Sequence, residues 1–236
     1  MPSYSEHDRY NEYEQTHWWF VARRNFLASI LARHNAATGS VIEFGTGTGY
    51  NLVSVFSKFS ERTGVDINPR AVEIARTRGL NVIHSAIADY EGPAVDLVAF
   101  LDVLYHKKVD VDQALRKAHN QLKPGGRILI FDGAFDLLEG RQSETVESAR
   151  RFKKGALSEQ VRSHGFEIEE ARYWGLALFF LMLLKRKILD RFQKADDDIS
   201  FFANGFFLTL MKWENWLASR WSLPFGASIV LLARRT

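Results

Sequence analysis

The chain of 236 residues contains no cysteine and only five prolines. Without cysteine it has neither a disulfide framework nor a thiolate nucleophile. Its first residues, MPSYSE, lack the charged-then-apolar order of a signal peptide, so we expect a cytoplasmic protein. A serine hydrolase is disfavoured because the sequence has no G-x-S-x-G elbow. No metal is expected, since His106, His119 and His164 lie far apart without paired-ligand spacing.

The composition is that of an ordinary globular enzyme, with 46% apolar and 25% charged residues. The net charge of +3 is small, and we expect its basic runs to be solvated surface and not a nucleic-acid site. The apolar run at residues 176–184 is shorter than the ~20 residues that a membrane-spanning helix needs. One elaborated domain that acts on small molecules is the simplest interpretation.

The most informative segment is residues 41–51, VIEFGTGTGYN. Glycines after a short apolar strand let the backbone approach a nucleotide-like ligand, because they tolerate positive φ and lack Cβ. The spacing differs from the dinucleotide pattern G-x-G-x-x-G, since Tyr50 stands where the third glycine is needed. Glu43 would repel phosphate but suits a ligand with ammonium and sulfonium groups, which predicts S-adenosylmethionine. The residues expected to contact it here are Glu43, Gly45, Thr46 and Gly47.

Further motifs follow in the order found in class I S-adenosylmethionine-dependent methyltransferases, and the chain resembles that family. They are TGVDI at 63–67, NPRA at 68–71, VDLVAFLDVLYH at 95–106 and LKPGGRILI at 122–130. Together with the glycine loop these are five matches over roughly 95 residues, which makes coincidence a weak explanation. The resemblance implies an α/β, Rossmann-like sheet of seven mostly parallel strands, with helices on both faces and an antiparallel last strand. It also implies S-adenosylmethionine as the cofactor.

The resemblance assigns cofactor-binding roles to residues at the ends of two strands. In the family, the acid that ends the second strand takes both ribose hydroxyls, a role that falls here to Asp66, with Ile67 beside it. Leu101 and Asp102 end the predicted fourth strand. Asp102 is expected to help hold the methionine ammonium or the following loop.

One position departs from the family pattern. After the third strand, predicted at residues 81–84, the family usually has an acid that holds the adenine amino group, whereas this chain has Ser85 and Ala86. Either Asp89 takes that role from three residues later, or the backbone of Ala86 and Ile87 does. The departure concerns the adenine contact and not the identity of the cofactor.

Methyl transfer mainly requires that an acceptor be aligned with the S–CH3 bond and that water be excluded, and such positioning accounts for ~7–11 kcal/mol. His106 is the predicted base, because it follows the fourth strand and an imidazole titrates near pKa ~6.5. A surface histidine or a helix cap is the alternative for His106. Tyr105 is an alternative group for orienting substrate. His17 is a weaker candidate base, and His84 is expected to be a strand residue.

Residues 1–36 are predicted to form a helical lid. The residues that follow helical spacing there are Tyr10, Tyr13, His17, Phe20 and Arg24. The block HWWFVARR at 17–24 resembles one found in a branch of these methyltransferases that acts on small metabolites or on saccharide and lipid intermediates. Because adjacent tryptophans cannot both face one core, at least one should meet the carboxyl-terminal cap or close over the active site. The residues expected at the substrate or in the lid are Trp18, Trp19, Arg23 and Tyr173.

Residues 37–173 are predicted to form the cofactor-binding core, with its last strand at 226–236. Residues 174–225 are predicted to form an apolar helical cap on the cofactor face, because the antiparallel last strand returns the chain there. Four residues of the cap recur at helical spacing, Phe206, Leu210, Trp213 and Leu217. They predict an amphipathic helix whose apolar face covers the sheet. A greasy substrate pocket, a homodimer face and contact with a membrane surface are the alternatives.

The leading hypothesis is transfer of a methyl group from S-adenosylmethionine to O, N or C of a small molecule, in biosynthesis of secondary metabolites or of saccharide and lipid intermediates. A second hypothesis is a cyclase, in which an aromatic cage holds the sulfonium while the cofactor's own amine attacks its γ-carbon. That reaction would form azetidine-2-carboxylate and release methylthioadenosine. The aromatic residues considered for the cage are Trp18, Trp19, Tyr105 and Tyr173. A third hypothesis, a non-catalytic binding module, is disfavoured by the intact glycine loop.

Overall fold

The computed structural model describes residues 14–134, 152–184 and 204–236. Its seven strands are β1 (Ser40–Phe44), β2 (Glu61–Asp66), β3 (Val82–His84), β4 (Val95–Leu101), β5 (Leu122–Gly133), β6 (Phe166–Trp174) and β7 (Ser228–Arg235). They form one sheet in the order β3-β2-β1-β4-β5-β7-β6. β7 runs antiparallel to β5 and β6, and the other hydrogen-bonded pairs are parallel. The predicted Rossmann-like, mostly parallel sheet is therefore confirmed.

Helices cover both faces of this sheet, which is why the central strands β1 and β4 are buried along nearly their whole length. The helices are α1 (Trp18–Arg33), α2 (Tyr50–Val53), α3 (Pro69–Thr77), α4 (Val111–Gln121), α5 (Lys154–Ser163), α6 (Leu176–Leu184) and α7 (Asn204–Arg220). α1, α3 and α7 contribute to one core cluster, and α4 and α5 contribute to the cluster on the other face. Within the described parts of the chain, no helix is both long enough and apolar enough to cross a membrane.

Side-chain caps fix where two of these helices begin. Asn68 accepts hydrogen bonds from the N–H groups of Arg70 at 3.0 Å and Ala71 at 3.3 Å, and Pro69 stands at the first helical position. Asp110 starts α4 in the same way by accepting from Gln113 N. Each helix therefore begins just after the loop that follows a strand, so these loops gather at one edge of the sheet.

Helix α1 begins after His17 and does not run through it as the helical spacing predicts. His17 has an extended backbone, and its Nδ1 accepts a hydrogen bond from Trp19 N at 3.3 Å, which makes it the N-cap. Tyr10 and Tyr13 lie outside the described residues. The second half of α1 packs with the sheet, since Phe26 and Leu31 are fully buried in the shared core cluster.

The predicted carboxyl-terminal helix is present as α7, but the face expected to be buried is only partly so, since Leu210 and Leu217 are half-buried and the two aromatic residues are exposed. Phe206 is 69% exposed and Trp213 is 68% exposed. The buried residues of α7 are instead Met211, Glu214 and Ala218. Hydrophobicity alone places the large rings inside, whereas the structure turns them to solvent.

Two polar residues determine the orientation of α7. The carboxylate of Glu214 accepts three backbone N–H groups at the start of α6, from Gly175 at 2.6 Å, Leu176 at 2.7 Å and Ala177 at 3.0 Å. These donors have no partner within α6 itself, so burying Glu214 satisfies them. Asn215 accepts from Trp174 Nε1 at 2.7 Å and donates to the Ala22 carbonyl of α1 at 2.9 Å. Together the two residues attach α7 to α6, to the sheet and to α1.

The amino-terminal helix and α7 also meet through Trp18. Its ring stacks on Phe207 with the centroids 5.0 Å apart, and its backbone N–H donates to Asn204 Oδ1 at 2.7 Å. Trp18 thus meets the carboxyl-terminal cap, the position expected for one of the two adjacent tryptophans. Trp19 lies on the other side and packs against Phe131 and Trp174 of the sheet.

Candidate functional site

The glycine loop lies at the carboxyl end of β1, the edge where parallel sheets bind ligands. Gly45, Gly47 and Gly49 have φ angles of 71°, 56° and 79°, in the left-handed region that glycine adopts readily. A Cβ on Gly45 would lie 2.5 Å from Val103 Cγ2, whereas a Cβ on Gly47 would meet nothing within 4 Å. Gly45 is therefore required for packing against the loop after β4, and Gly47 leaves open surface for a ligand.

Glu43 lies beneath the glycine loop and holds it in place. Its fully buried carboxylate accepts hydrogen bonds from Thr46 Oγ1 at 2.7 Å and from Asn51 Nδ2 at 2.6 Å. Burial raises the pKa of Glu43 to about 7, and the bonds from Thr46 and Asn51 oppose that rise. Because both oxygens are engaged with Thr46 and Asn51, Glu43 fixes the position of the loop.

Asp66 ends β2 beside this loop, and its carboxylate is oriented by the backbone. One oxygen accepts the Gly47 N–H at 2.7 Å and the other accepts the Asn68 N–H at 2.8 Å. Each carboxylate oxygen can accept a second hydrogen bond, so the group can still receive two external donors. The neighbouring Ile67 side chain is 70% exposed, which places an apolar surface next to the oriented acid.

The segment after β3 continues this edge. Ser85 N donates to the Asp66 carbonyl at 3.1 Å, which holds the segment against β2. Ala86 and Ile87 are half-buried, and the exposed Asp89 donates its N–H to the Ala86 carbonyl at 3.2 Å. His84 ends β3 as a strand residue, as the sequence predicts.

The loop after β4 brings Asp102, Tyr105 and His106 to the same edge. Asp102 has a φ of 59°, a left-handed conformation that aspartate tolerates better than most residues. Its N–H donates to the Phe131 carbonyl at 2.7 Å, and its carboxylate forms an ion pair with Arg23. The half-buried rings of Tyr105 and His106 stack with their centroids 4.1 Å apart.

Asp132 is a site residue that the sequence analysis missed. It lies near the end of β5, is fully buried, and accepts the N–H groups of Leu104 at 2.9 Å and Gly133 at 3.2 Å. Burial, together with the charge of Asp102, raises the pKa of Asp132 well above its usual range. Through Leu104 it fixes the loop that contains His106. The sequence signal that could have identified Asp132 is an acid that ends the apolar segment ILIFD at residues 128–132.

Arg23 extends from α1 to this edge and lies in an aromatic cage. The rings of the cage lie 4.9 Å (Trp19), 5.5 Å (Phe20) and 5.7 Å (Phe131) from the guanidinium carbon, measured to each centroid. The terminal nitrogens donate to Asp102 and, at 3.1 Å, to Asn51 Oδ1. Among the described residues, the buried Arg23 Nε has no hydrogen-bond partner. A buried guanidinium with an unused donor is suited to one more anionic acceptor.

The amino-terminal segment closes over the glycine loop and leaves a cavity of about 20 Å³. The cavity is lined by Glu14, Phe20, Arg23, Arg24, Thr46, Tyr50 and Asn51. Glu14 fastens the closure, because its carboxylate accepts from Thr48 Oγ1 at 2.5 Å and its carbonyl accepts from Arg24. A wider groove of about 420 Å³ lies between α3 and His84, but Glu43, Asp66 and Asp102 do not line it.

Three predicted site residues are buried and pack against other parts of the protein. Tyr173 is buried on β6, where its hydroxyl accepts the Lys154 N–H at 3.1 Å. Trp18 packs on α7, and Leu101 is buried in the core at the end of β4. The aromatic cage observed around Arg23 differs from the one considered from the sequence. Trp18 and Tyr173, two members of the considered cage, lie on different faces of the sheet.

The sequence profile of a family described as a methyltransferase domain matches residues 19–171. This match covers more than half of the chain, so the protein belongs to that family, and the resemblance to class I S-adenosylmethionine-dependent methyltransferases is confirmed. A comparison with curated protein sequences gives no match.

Solved structures share the same fold. A SAM-dependent methyltransferase from Thermotoga maritima has a TM-score of 0.60 at 21% identity, over 98% of this chain and 97% of that one. Geranyl diphosphate C-methyltransferase from Streptomyces coelicolor has a TM-score of 0.61 at 13% identity, over 89% and 76%. The 1,6-didemethyltoxoflavin-N1-methyltransferase of Burkholderia thailandensis, crystallised with 1,6-didemethyltoxoflavin and S-adenosylhomocysteine, has a TM-score of 0.55 at 17% identity, over 89% of this chain and 76% of that one. At these identities the likeness establishes the fold.

The raised pKa of Glu43 predicts a dependence of stability on pH. Between the usual glutamate value of 4.5 and about 7, the folded protein holds a proton that the unfolded chain has lost, so the free energy of unfolding falls as pH rises. Glu43→Gln cannot ionise. We expect the variant to gain stability relative to the wild type across this window, as measured by urea denaturation at several pH values. Glu73→Gln, on the surface of α3, is the control, and a constant difference for Glu43→Gln would contradict the assignment.

Proposed function

We propose that the protein binds S-adenosylmethionine at the carboxyl ends of β1, β2 and β4 and transfers its methyl group to a small molecule. The main support for this proposal is the orientation of the Asp66 carboxylate. Its two oxygens are fixed by the N–H groups of Gly47 and Asn68, next to the open surface at Gly47. A ribose diol offers two hydroxyl donors to such a carboxylate. The exposed Ile67 supports this placement, since an apolar side chain beside Asp66 suits one face of an adenine ring.

The amino-acid end of the cofactor is a zwitterion, and Arg23 and Asp102 offer the complementary charges. Arg23 has an unused Nε donor for a carboxylate, and the Asp102 side chain retains 28% exposure for an ammonium group. The two residues pair with each other in the described structure. Binding would exchange each partner for a ligand group of the same charge, which avoids leaving a buried charge uncompensated.

The rest of the cofactor site is assigned to neighbouring segments. Ala86 and Ile87 follow β3 and suit the adenine edge, with Asp89 as the side-chain alternative. When bound, S-adenosylmethionine supplies an activated methyl group. The closure of Glu14 over the glycine loop would keep water from the reacting atoms.

His106 is assigned to removal of a proton from the acceptor, and Tyr105 to orientation of the acceptor. Their stacked rings limit each other's rotation, and Asp132 fixes the loop that carries them through Leu104 N. A base must lie within hydrogen-bond reach of the proton it takes, so this restriction favours one productive geometry. Acceptors that ionise without help would not require His106.

The alternative cyclase reaction is disfavoured by the contents of the observed cage. A cyclase would need aromatic rings around the sulfonium. The rings at this edge, Trp19, Phe20 and Phe131, already surround the Arg23 guanidinium. A second cation in that cage would be repelled by Arg23. The geometry therefore favours methyl transfer.

We expect Asp66→Ala to weaken the affinity for S-adenosylmethionine, measured by isothermal titration calorimetry. Loss of a charged hydrogen-bond acceptor costs ~1.5–3 kcal/mol, which is about 10- to 150-fold in affinity. Asp89→Ala is the matched variant that tests the side-chain alternative for adenine. Unchanged affinity in Asp66→Ala would remove the diol assignment, and unchanged affinity in Asp89→Ala would leave adenine to the backbone of Ala86 and Ile87.

We expect Arg23→Gln to weaken binding of S-adenosylmethionine at least about 10-fold, since a charge-assisted bond to the ligand carboxylate is worth ~1.5–3 kcal/mol. Methylthioadenosine lacks the amino-acid end, so its affinity should change much less. The ratio of the two affinities separates a direct contact from a structural effect. Equal losses for both ligands would show that Arg23 only supports the lid.

The reaction is best tested by product analysis with a panel of small-molecule acceptors. Methyl transfer releases S-adenosylhomocysteine, whereas the cyclase releases methylthioadenosine without an acceptor. With a responsive acceptor, His106→Ala should lower turnover by about 10²- to 10⁴-fold at unchanged cofactor affinity, the usual contribution of a general base. His84→Ala is the control histidine. Full activity of His106→Ala would exclude His106 as the base.

A further inference from the structure

Helix α7 presents a row of large aromatic side chains to solvent. Phe206 is 69% exposed, Trp213 68% and Trp216 46%, and Trp221 just beyond the helix is 56% exposed. We call these four residues the aromatic ridge. The Trp216 ring lies 6.1 Å from Trp213 and 6.0 Å from Trp221, so the three tryptophans are contiguous. A soluble monomer rarely exposes a continuous apolar surface of this kind without a partner for it.

The aromatic ridge faces away from the proposed cofactor site. The opposite side of α7 carries Met211, Glu214 and Ala218, which are buried. On that side Asn215 donates to the Ala22 carbonyl of α1 and Phe207 stacks on Trp18. The ridge therefore does not line the acceptor pocket, and mutual burial with the amino-terminal aromatics does not explain it.

The exposed charges along α7 are positive. Lys212 is exposed next to Trp213, and the Arg220 guanidinium lies 4.3 Å from the Trp216 ring centroid. The one acidic residue of α7, Glu214, is buried, and its carboxylate accepts hydrogen bonds from backbone N–H groups at the start of α6. The partner of this surface should therefore be apolar at its centre and negatively charged around it.

We propose that the aromatic ridge docks the protein on the surface of a membrane that contains anionic lipids. Tryptophan suits the bilayer interface because it combines a large apolar ring with a polar indole N–H. Lys212 and Arg220 stand beside the rings, where they can meet anionic head groups. α7 would lie in the plane of the interface, with Met211 and Ala218 still packed on the protein, as in other surface-bound amphipathic helices.

A second copy of the chain fits the ridge less well. In a two-fold dimer the same patch faces itself, so the cations of one copy would meet those of the other. The patch offers no exposed carboxylate of α7 to neutralise them, since Glu214 is buried. An anionic bilayer supplies that charge.

Sedimentation of the full chain with vesicles tests the proposal. We expect binding to phosphatidylcholine vesicles that contain phosphatidylglycerol, and much weaker binding to pure phosphatidylcholine. Trp213→Ala combined with Trp216→Ala should weaken binding at least about tenfold, and Arg220→Gln about fivefold on anionic vesicles only. Val53→Ala and Arg116→Gln, an exposed apolar residue on α2 and an exposed arginine on α4, are the matched controls and should bind like the wild type.

Affinity for S-adenosylmethionine, measured on every variant, checks the fold independently of turnover and should not change. Failure to bind either kind of vesicle would overturn the proposal, as would equal losses in the controls and in the ridge variants. Light scattering decides the dimer alternative. A dimer that dissociates in the double tryptophan variant, in a protein that ignores vesicles, would assign the ridge to a second copy of the chain.

Discussion

The ion pair between Arg23 and Asp102 joins the amino-terminal helix to the carboxyl edge of the sheet, and the geometry of the site depends on it. Arg23 is anchored because the second half of α1 is part of the core, and Asp102 is anchored by its left-handed turn and by the Phe131 carbonyl. Removing Asp102 would leave the buried Arg23 charge without its carboxylate partner, which is unfavourable in a low-dielectric environment. The position of the amino-terminal helix and the shape of the site are therefore coupled.

The acids around this pair are held in environments that disfavour their charged forms. Burial raises the pKa of Glu14, Glu43 and Asp132, so each carboxyl resists losing its proton in the closed, unliganded arrangement. A ligand that brings ammonium and sulfonium groups would favour their ionised forms. In the proposed complex, Glu43 would therefore act through its charge, since both of its oxygens are bonded to the loop.

The parts of the site that were predictable from the sequence are those encoded by short segments. The glycine loop and Asp66 each follow one apolar strand, so their position at the carboxyl edge follows from the parallel sheet. The cage around Arg23 was not predictable, because Phe131 comes from a strand more than one hundred residues away in the chain. The face of α7 was mispredicted for a related reason. Hydrophobicity places Trp213 inside, but the buried hydrogen bonds of Glu214 to α6 turn it outward.

A crystal structure with S-adenosylhomocysteine tests the central claim most directly, because that ligand retains both the ribose and the amino-acid end. The account predicts that Asp66 accepts both ribose hydroxyls and that Arg23 leaves Asp102 to bind the ligand carboxylate, with Asp102 meeting the ammonium group. A complex in which Arg23 and Asp102 remain paired, while the amino-acid end of the ligand lies elsewhere, would contradict it.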